Sequence, residues 1–228
     1  MTVRATPARL RLILVDDHAV VREGLKRILA ASASSWEISE ASSGFQALEL
    51  LRQQPCDLAI VDLSMPGMNG LELVHRIRDL FPSVLILVLS MHAEEQYAMR
   101  AFKSGAKGYV TKDTAAEELV AAVRKVASGG AYVTSSLAER VVQQLNGTLQ
   151  GSPHAQLSDR EFDVLQRIVA GQRLTDIAAA LHLSIKTVST HKSHIQEKLQ
   201  LPSMAALIRY GLEHQLGKGD ASLMRNAN

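Results

Sequence analysis

Continuous apolar runs alternate with amphipathic stretches over the first 130 residues. Residues 10–15 (LRLILV) read as a buried strand. Residues 20–29 then repeat at helical spacing through Val21, Leu25, Ile28 and Leu29. A short strand is predicted at 36–40. A helix follows with Ala47, Leu48, Leu50 and Leu51 on its apolar face, ended by Pro55. The same alternation predicts strands at 58–63, 84–89 and 108–111 and helices at 71–80, 94–103 and 114–127, the last stopped by Gly129-Gly130. Five strand–helix pairs with apolar strands predict an α/β fold, a doubly wound five-stranded parallel sheet with helices on both faces. Sites in such folds lie beyond the carboxyl ends of the strands.

The alternation stops after residue 130. Ser135, Ser136, Asn146, Gly147, Gly151, Ser152 and Pro153 are linker-like, with room for one helix at 137–145. From about residue 157 the period is purely helical. Ser158 and Glu161 are spaced for a capping box. The helix after them turns Phe162, Leu165, Ile168 and Val169 inward. A short second helix carries Ile177, Ala178 and Leu181, a third starts after Ser184, and a fourth follows Pro202-Ser203. This is a second, smaller all-α domain of four helices. The predicted domains are 9–130, a linker at 131–156, 157–217, and a flexible tail at 218–228.

Composition narrows the class. The chain has 228 residues, 46% hydrophobic and 21% charged, which excludes disorder along its whole length. No apolar run approaches the roughly 20 residues of a membrane span, and no secretory signal is visible at the N-terminus. A single cysteine excludes a disulfide framework. Cys56 reads as a small buried hydrophobe, and the expected compartment is the reducing cytoplasm. Net charge is +2. Residues 1–151 hold 16 basic and 16 acidic side chains, and residues 152–228 hold 9 and 7. Between Asp176 and Glu197 no acid occurs, whereas Lys186, Lys192, His191 and His194 do. A locally basic stretch of this kind suits contact with nucleic acid.

Candidate chemistry collects at the predicted strand ends. Asp16 and Asp17 close the first strand, Asp62 the third, Ser90 the fourth and Lys112 the fifth. Crowded carboxylates call for a cation, and oxygen ligands suit Mg²⁺. A carboxylate held there can attack a phosphoryl group, with a lysine and a hydroxyl balancing the oxyanion. His18 and His92 flank the set as loop residues. The set, with VDLSMPGMNG around Asp62 and GYVTKD around Lys112, resembles the receiver domain of bacterial two-component response regulators. The resemblance implies a flavodoxin-like receiver with Asp62 as phosphoacceptor. It implies Mg²⁺ held by Asp17, Asp62 and the Ser64 carbonyl with Asp16 in support. Lys112 and Ser90 would hold the phosphoryl group, and Tyr109 would act as the switch aromatic.

The third helix of the second domain is amphipathic. Val188, Ile195 and Leu199 form its buried stripe with Ile185 nearby, and Lys186, Ser189, Thr190, Ser193, His194 and Glu197 lie opposite. A narrow polar face with few acids can enter a major groove. Lys186, Thr187 and Lys192 are placed for phosphates, and Ser189, Thr190, Ser193 and His194 for the groove. His191 and His194 have no further ligands for a metal, and His191 is expected at the core edge. The stretches LSDREFDVL and DIAAALHLSIKTVSTHKSHIQEKL resemble the LuxR-type helix-turn-helix of NarL/FixJ-family regulators. The chain differs where that family often has Ser-Asn, here Arg173-Leu174. It also lacks the lysines frequent at the positions of Ser189 and Ser193. With few cations, dimeric binding is favoured, and the last helix (Met204, Leu207, Ile208, Leu212 and Leu216) is expected to serve both core and dimer contact.

The combined expectation is a phosphorylation-activated DNA-binding transcriptional regulator, not an enzyme. The implied partners are a sensor histidine kinase, double-stranded DNA and a second copy of the chain, with RNA polymerase as a further candidate and no membrane. Two other readings exist. One is a phosphorylation-independent DNA binder that uses the receiver for dimerisation. The other is an aspartyl-phosphate phosphatase, which would need an Asp-x-Asp nucleophile after the first strand and a substrate cap. Here Asp16-Asp17 lacks that spacing and no cap-sized insertion occurs.

Overall fold

The computed structural model describes residues 9–33, 35–91, 95–134, 138, 153–181, 183–214 and 216. The chain forms two compact units, Met1–Thr148 and Leu149–Asn228. The predicted linker helix at 137–145, His92 and the tail at 218–228 lie outside the described residues.

In the first unit the order is β1 (Leu10–Val15), α1 (Ala19–Ser32), β2 (Trp36–Ala41), α2 (Gly44–Gln53), β3 (Leu58–Asp62), α3 (Gly70–Leu80), β4 (Leu85–Ser90), α4 (Glu95–Ser104), β5 (Gly108–Thr111), α5 (Ala115–Ala127) and β6 (Tyr132–Val133). The sheet runs β2-β1-β3-β4-β5-β6 with every pair parallel. Strand order reverses at β1, so a crevice opens between the carboxyl ends of β1 and β3. Alternation within strands explains the layers. Leu12, Leu14, Leu58, Ile60, Leu87 and Leu89 pack with Leu25, Leu29, Leu119 and Val123 of α1 and α5. Their strand neighbours Ile13, Val15, Ala59, Val61 and Val88 are equally buried on the other face.

The sheet has six strands where the sequence predicts five. Tyr132 and Val133 pair with Gly108 and Tyr109, and the Tyr132 N–H donates to the Lys107 carbonyl at 3.0 Å. Two residues carry no period, so the pattern places them in the linker. Cys56 sits just before β3 and is half-buried rather than fully buried as expected; desolvation there pushes its thiol up to about 12.

Among its described residues the second unit has one 3₁₀ turn (Pro153–Gln156) and four helices: α6 (Asp159–Val169), α7 (Leu174–Ala180), α8 (Ile185–Lys198) and α9 (Met204–Glu213). The capping box forms as predicted. The Glu161 N–H donates to Ser158 Oγ and the Ser158 N–H to Glu161 Oε2. Ser184 and Ser203 cap α8 and α9, whereas Arg173 precedes α7 with no side-chain cap bond. Phe162, Leu165, Ile168, Ile177, Leu181, Val188, Ile195 and Leu207 make the core. Gly211 lets α9 approach α6: a Cβ there would stand 2.1 Å from Val169 Cγ2. Ile185 departs from its expected place beside the stripe. It is 53% exposed, because the first residue of α8 projects before the core begins at Val188. Among the described residues no helix is long and apolar enough to cross a membrane.

Candidate functional site

The strand ends bring the predicted acidic set to one edge. Asp16 and Asp17 follow β1, Asp62 ends β3, Ser90 ends β4 and Lys112 follows β5. Asp16, Asp62 and Ser90 are fully buried. The Lys112 ammonium bridges two carboxylates, donating to Asp16 Oδ2 at 2.7 Å and to Asp62 Oδ2 at 2.8 Å. The Ser64 N–H donates to the other Asp62 oxygen at 3.2 Å. The Lys112 N–H donates to the Ser90 carbonyl at 2.8 Å, which fixes the lysine beside the serine.

A tight turn aims Asp62. Asn69 caps α3 by accepting from the Glu72 N–H at 2.8 Å. Gly70 lies against the end of β3, where a Cβ would stand 2.1 Å from the Asp62 carbonyl oxygen. No residue but glycine fits that approach without moving backbone. Gly70 of the MPGMNG loop is therefore a steric requirement of the turn behind Asp62.

Burial pushes the Asp62 carboxyl up from its usual value, Lys112 opposes the rise and Asp16 adds to it. Burial pulls the Lys112 ammonium down, yet Asp62 and Asp16 together hold it above its usual value. One cation thus faces a surplus of carboxylate. Asp17 Oδ1 is buried and accepts no hydrogen bond. Single donor atoms of Asp16, Asp17, His18 and Asp62 lie within 4.8 Å of one another. An orphaned carboxylate oxygen among other carboxylates is the donor set that a hard divalent cation needs, so these residues fit Mg²⁺.

Tyr109 is fully buried in β5, opposite Val88. His18, expected only to flank the site, turns its Nδ1 to 3.1 Å from Asp17 Oδ1. Its position directly after the acid pair was the available signal.

On α8, Lys186, Thr190, Ser193 and His194 are exposed, and Thr187, Ser189 and Lys192 are half-buried. Thr190 and Ser193 donate to the Lys186 and Ser189 carbonyls one turn back, and Thr187 meets the Ser184 hydroxyl. The small hydroxyls therefore lie close to the helix and leave its surface low. At the other end of α8, buried Glu161 accepts from Lys198 at 2.7 Å, and His194 Nδ1 lies 3.7 Å from it. Burial raises the Glu161 carboxyl, but Lys198 and Ser158 outweigh it and hold it below the usual range. Sequence reading missed His154. It is buried in the 3₁₀ turn, its Nδ1 2.7 Å from the Tyr210 hydroxyl and its ring stacked on Phe162.

Comparison with known proteins separates the same two parts. Residues 12–124 match the response regulator receiver domain, and residues 155–211 match the bacterial regulatory proteins of the luxR family. Oxygen regulatory protein NreC of Staphylococcus epidermidis is 37% identical over 91% of this chain and 99% of its own length. The chain belongs to the NarL/FixJ family of response regulators. Response regulator UvrY of Escherichia coli, 34% identical, covers 91% of this regulator and 95% of its own chain. Among solved structures, RcsB from Salmonella enterica serovar Typhimurium was captured on promoter P1flhDC in the presence of the phosphomimetic BeF3⁻. It is 28% identical to this regulator, with a TM-score of 0.64 over 89% of this chain and 98% of that one. A LuxR-family response regulator from Aurantimonas is 32% identical, with a TM-score of 0.57 over 60% of this regulator and 99% of that chain. The receiver and the LuxR-type domain make this chain a DNA-binding transcription regulator.

Proposed function

We propose that a phosphoryl group on Asp62 controls DNA binding by this regulator. The observation that carries the reading is the Lys112 ammonium held between the buried oxygens of Asp16 and Asp62. A sensor histidine kinase is the donor. The Asp62 oxygen bonds phosphorus as the P–N bond of the kinase phosphohistidine breaks, and the freed imidazole takes a proton. Asp17, Asp62 and the Ser64 carbonyl hold Mg²⁺, with Asp16 in support. The bound ion supplies charge neutralisation at the phosphoryl oxygens. Lys112 pairs with the same oxygens and Ser90 donates its hydroxyl to them.

Drawing Ser90 and Lys112 onto the new oxyanion shifts β4 and β5, and Tyr109 carries the change to the surface of the receiver. The shift alters dimerisation and releases the helix-turn-helix for an operator of two half-sites. There α8 enters the major groove. Lys186, Thr187 and Lys192 hold phosphates while Ser189, Thr190, Ser193 and His194 face bases. The RcsB–promoter complex supports this placement by likeness.

The test is intact mass after incubation with Mg²⁺ and a small phosphoryl donor. Wild type should gain one phosphoryl group and Asp62→Asn none. Equal uptake by both removes Asp62 as the acceptor. Promoter affinity that is the same with and without donor supports the phosphorylation-independent reading instead.

A further inference from the structure

The acidic pocket has a nitrogen donor that phosphoryl transfer does not use. His18 follows Asp17 and precedes α1. Its Nδ1 stands 3.1 Å from Asp17 Oδ1 and 3.4 Å from Asp16 Oδ1. Asp17 Oδ1 accepts no hydrogen bond, although the ring nitrogen stands within ion-pair distance of it. The His18 backbone is fixed, because its N–H donates to Asp16 Oδ1 at 2.8 Å. The side chain itself is 54% exposed, so the ring can turn without repacking a core.

Neighbouring donors around an octahedral ion, each about 2.1 Å from it, stand about 3 Å apart. The His18–Asp17 separation matches one such edge. Mg²⁺ gains little from imidazole, whereas later first-row ions bind it well. We propose that His18 is a nitrogen ligand of this pocket when a first-row transition ion occupies it. The carboxylates then bind either class of ion, and His18 selectively strengthens the second. Occupancy of the pocket therefore responds to the supply of such ions as well as to Mg²⁺. The inference rests on the reading above only in taking the pocket as a divalent-cation site.

The test uses the full, untagged chain as wild type, His18→Ala and Asp17→Asn. Calorimetry measures Co²⁺ and Mg²⁺ binding separately. Only Co²⁺ heat that excess Mg²⁺ competes away is counted, which sets aside the histidines on α8. His18→Ala should weaken this Co²⁺ binding about tenfold or more and leave Mg²⁺ affinity essentially unchanged. The Co²⁺ d–d absorption band should also shift between wild type and His18→Ala. Equal Co²⁺ affinity with an unshifted band overturns the proposal. So does a parallel loss of both ions, which would make His18 a support for the carboxylates. In either case, Mg²⁺ binding by wild type and its loss in Asp17→Asn leave the pocket reading standing. If wild type binds neither ion competitively, the pocket reading falls together with the proposal.

Discussion

Removing the charge of Asp62 should stabilise the receiver. Asp62 is fully buried, and its oxygens share one ammonium with Asp16. Single oxygens of Asp16, Asp17 and Asp62 lie within 4.8 Å of one another, and at an effective dielectric of about 20 unit charges at that limit interact by about 3.5 kcal/mol. Asp16 and Asp17 each repel Asp62 on that scale. The Lys112 pair at 2.8 Å attracts by about 6 kcal/mol on the same basis. Repulsion and attraction nearly cancel, so the desolvation of a buried carboxylate decides the sign. Asp62→Asn keeps an oxygen for the Ser64 N–H and leaves Lys112 paired with Asp16. The expected gain is about 1–3 kcal/mol at pH 7 in low salt without divalent ions.

Urea unfolding followed by Trp36 reports it, because the single tryptophan lies in β2 of the first unit. The midpoint should rise by roughly 1 M. The sign of the pH dependence follows from the raised Asp62 carboxyl. Its ionisation penalises the folded state above its folded pKa, and the penalty disappears as pH falls through that value towards the unfolded one. The gap between variant and wild type should therefore narrow in acid, and also with added Mg²⁺. A variant no more stable than wild type at pH 7 without divalent ions refutes the claim that crowded carboxylates strain this fold.

Other expectations follow from single contacts. Gly70→Ala places a Cβ against the Asp62 carbonyl and should cost about 1–3 kcal/mol with slower phosphoryl uptake, read by urea unfolding and intact mass. Glu161→Ala breaks the capping box and strands Lys198. Because Lys198 is 40% exposed, the expected loss in the second unit is discounted to about 1–2 kcal/mol, read by calorimetry. Lys186→Ala should reduce the slope of log affinity against log salt by about 1 in a promoter titration. Substitutions at Ser189 and Thr190 should change operator preference and leave phosphoryl uptake intact; unchanged selectivity in both removes this face of α8 from the groove.

Periodicity located the strands through β5 to within a residue, and the helices to within about three, because long buried strands and amphipathic helices have strong repeats. The acidic set was legible for the same reason: once the strands are placed, Asp16, Asp17, Asp62, Ser90 and Lys112 must share an edge. The pattern could not give β6, whose stability comes from pairing with β5. Nor could it show that Ile185 faces solvent, because a wheel does not tell where a helix leaves the core. His154 sits in a short turn with no repeat, and only folding brings it to Tyr210 and Phe162. The direction of His18 depends on side-chain rotation beside Asp17, which adjacency in sequence does not specify.

The two-residue strand β6 also protects the molecule from itself. Among the described residues it is the only cover on the outer edge of β5, a four-residue strand of apolar and small side chains. An uncovered edge is a template for pairing with another chain. A fragment ending at residue 130 would lose the Tyr132 N–H bond to Lys107 and the 3.2 Å bond from the Tyr132 hydroxyl to Glu118. Its β5, carrying Tyr109 and leading to Lys112, would lie open to edge-to-edge association. Self-association by such a fragment would therefore report a severed edge and not the proposed dimer; an isolated receiver should run at least through Thr134.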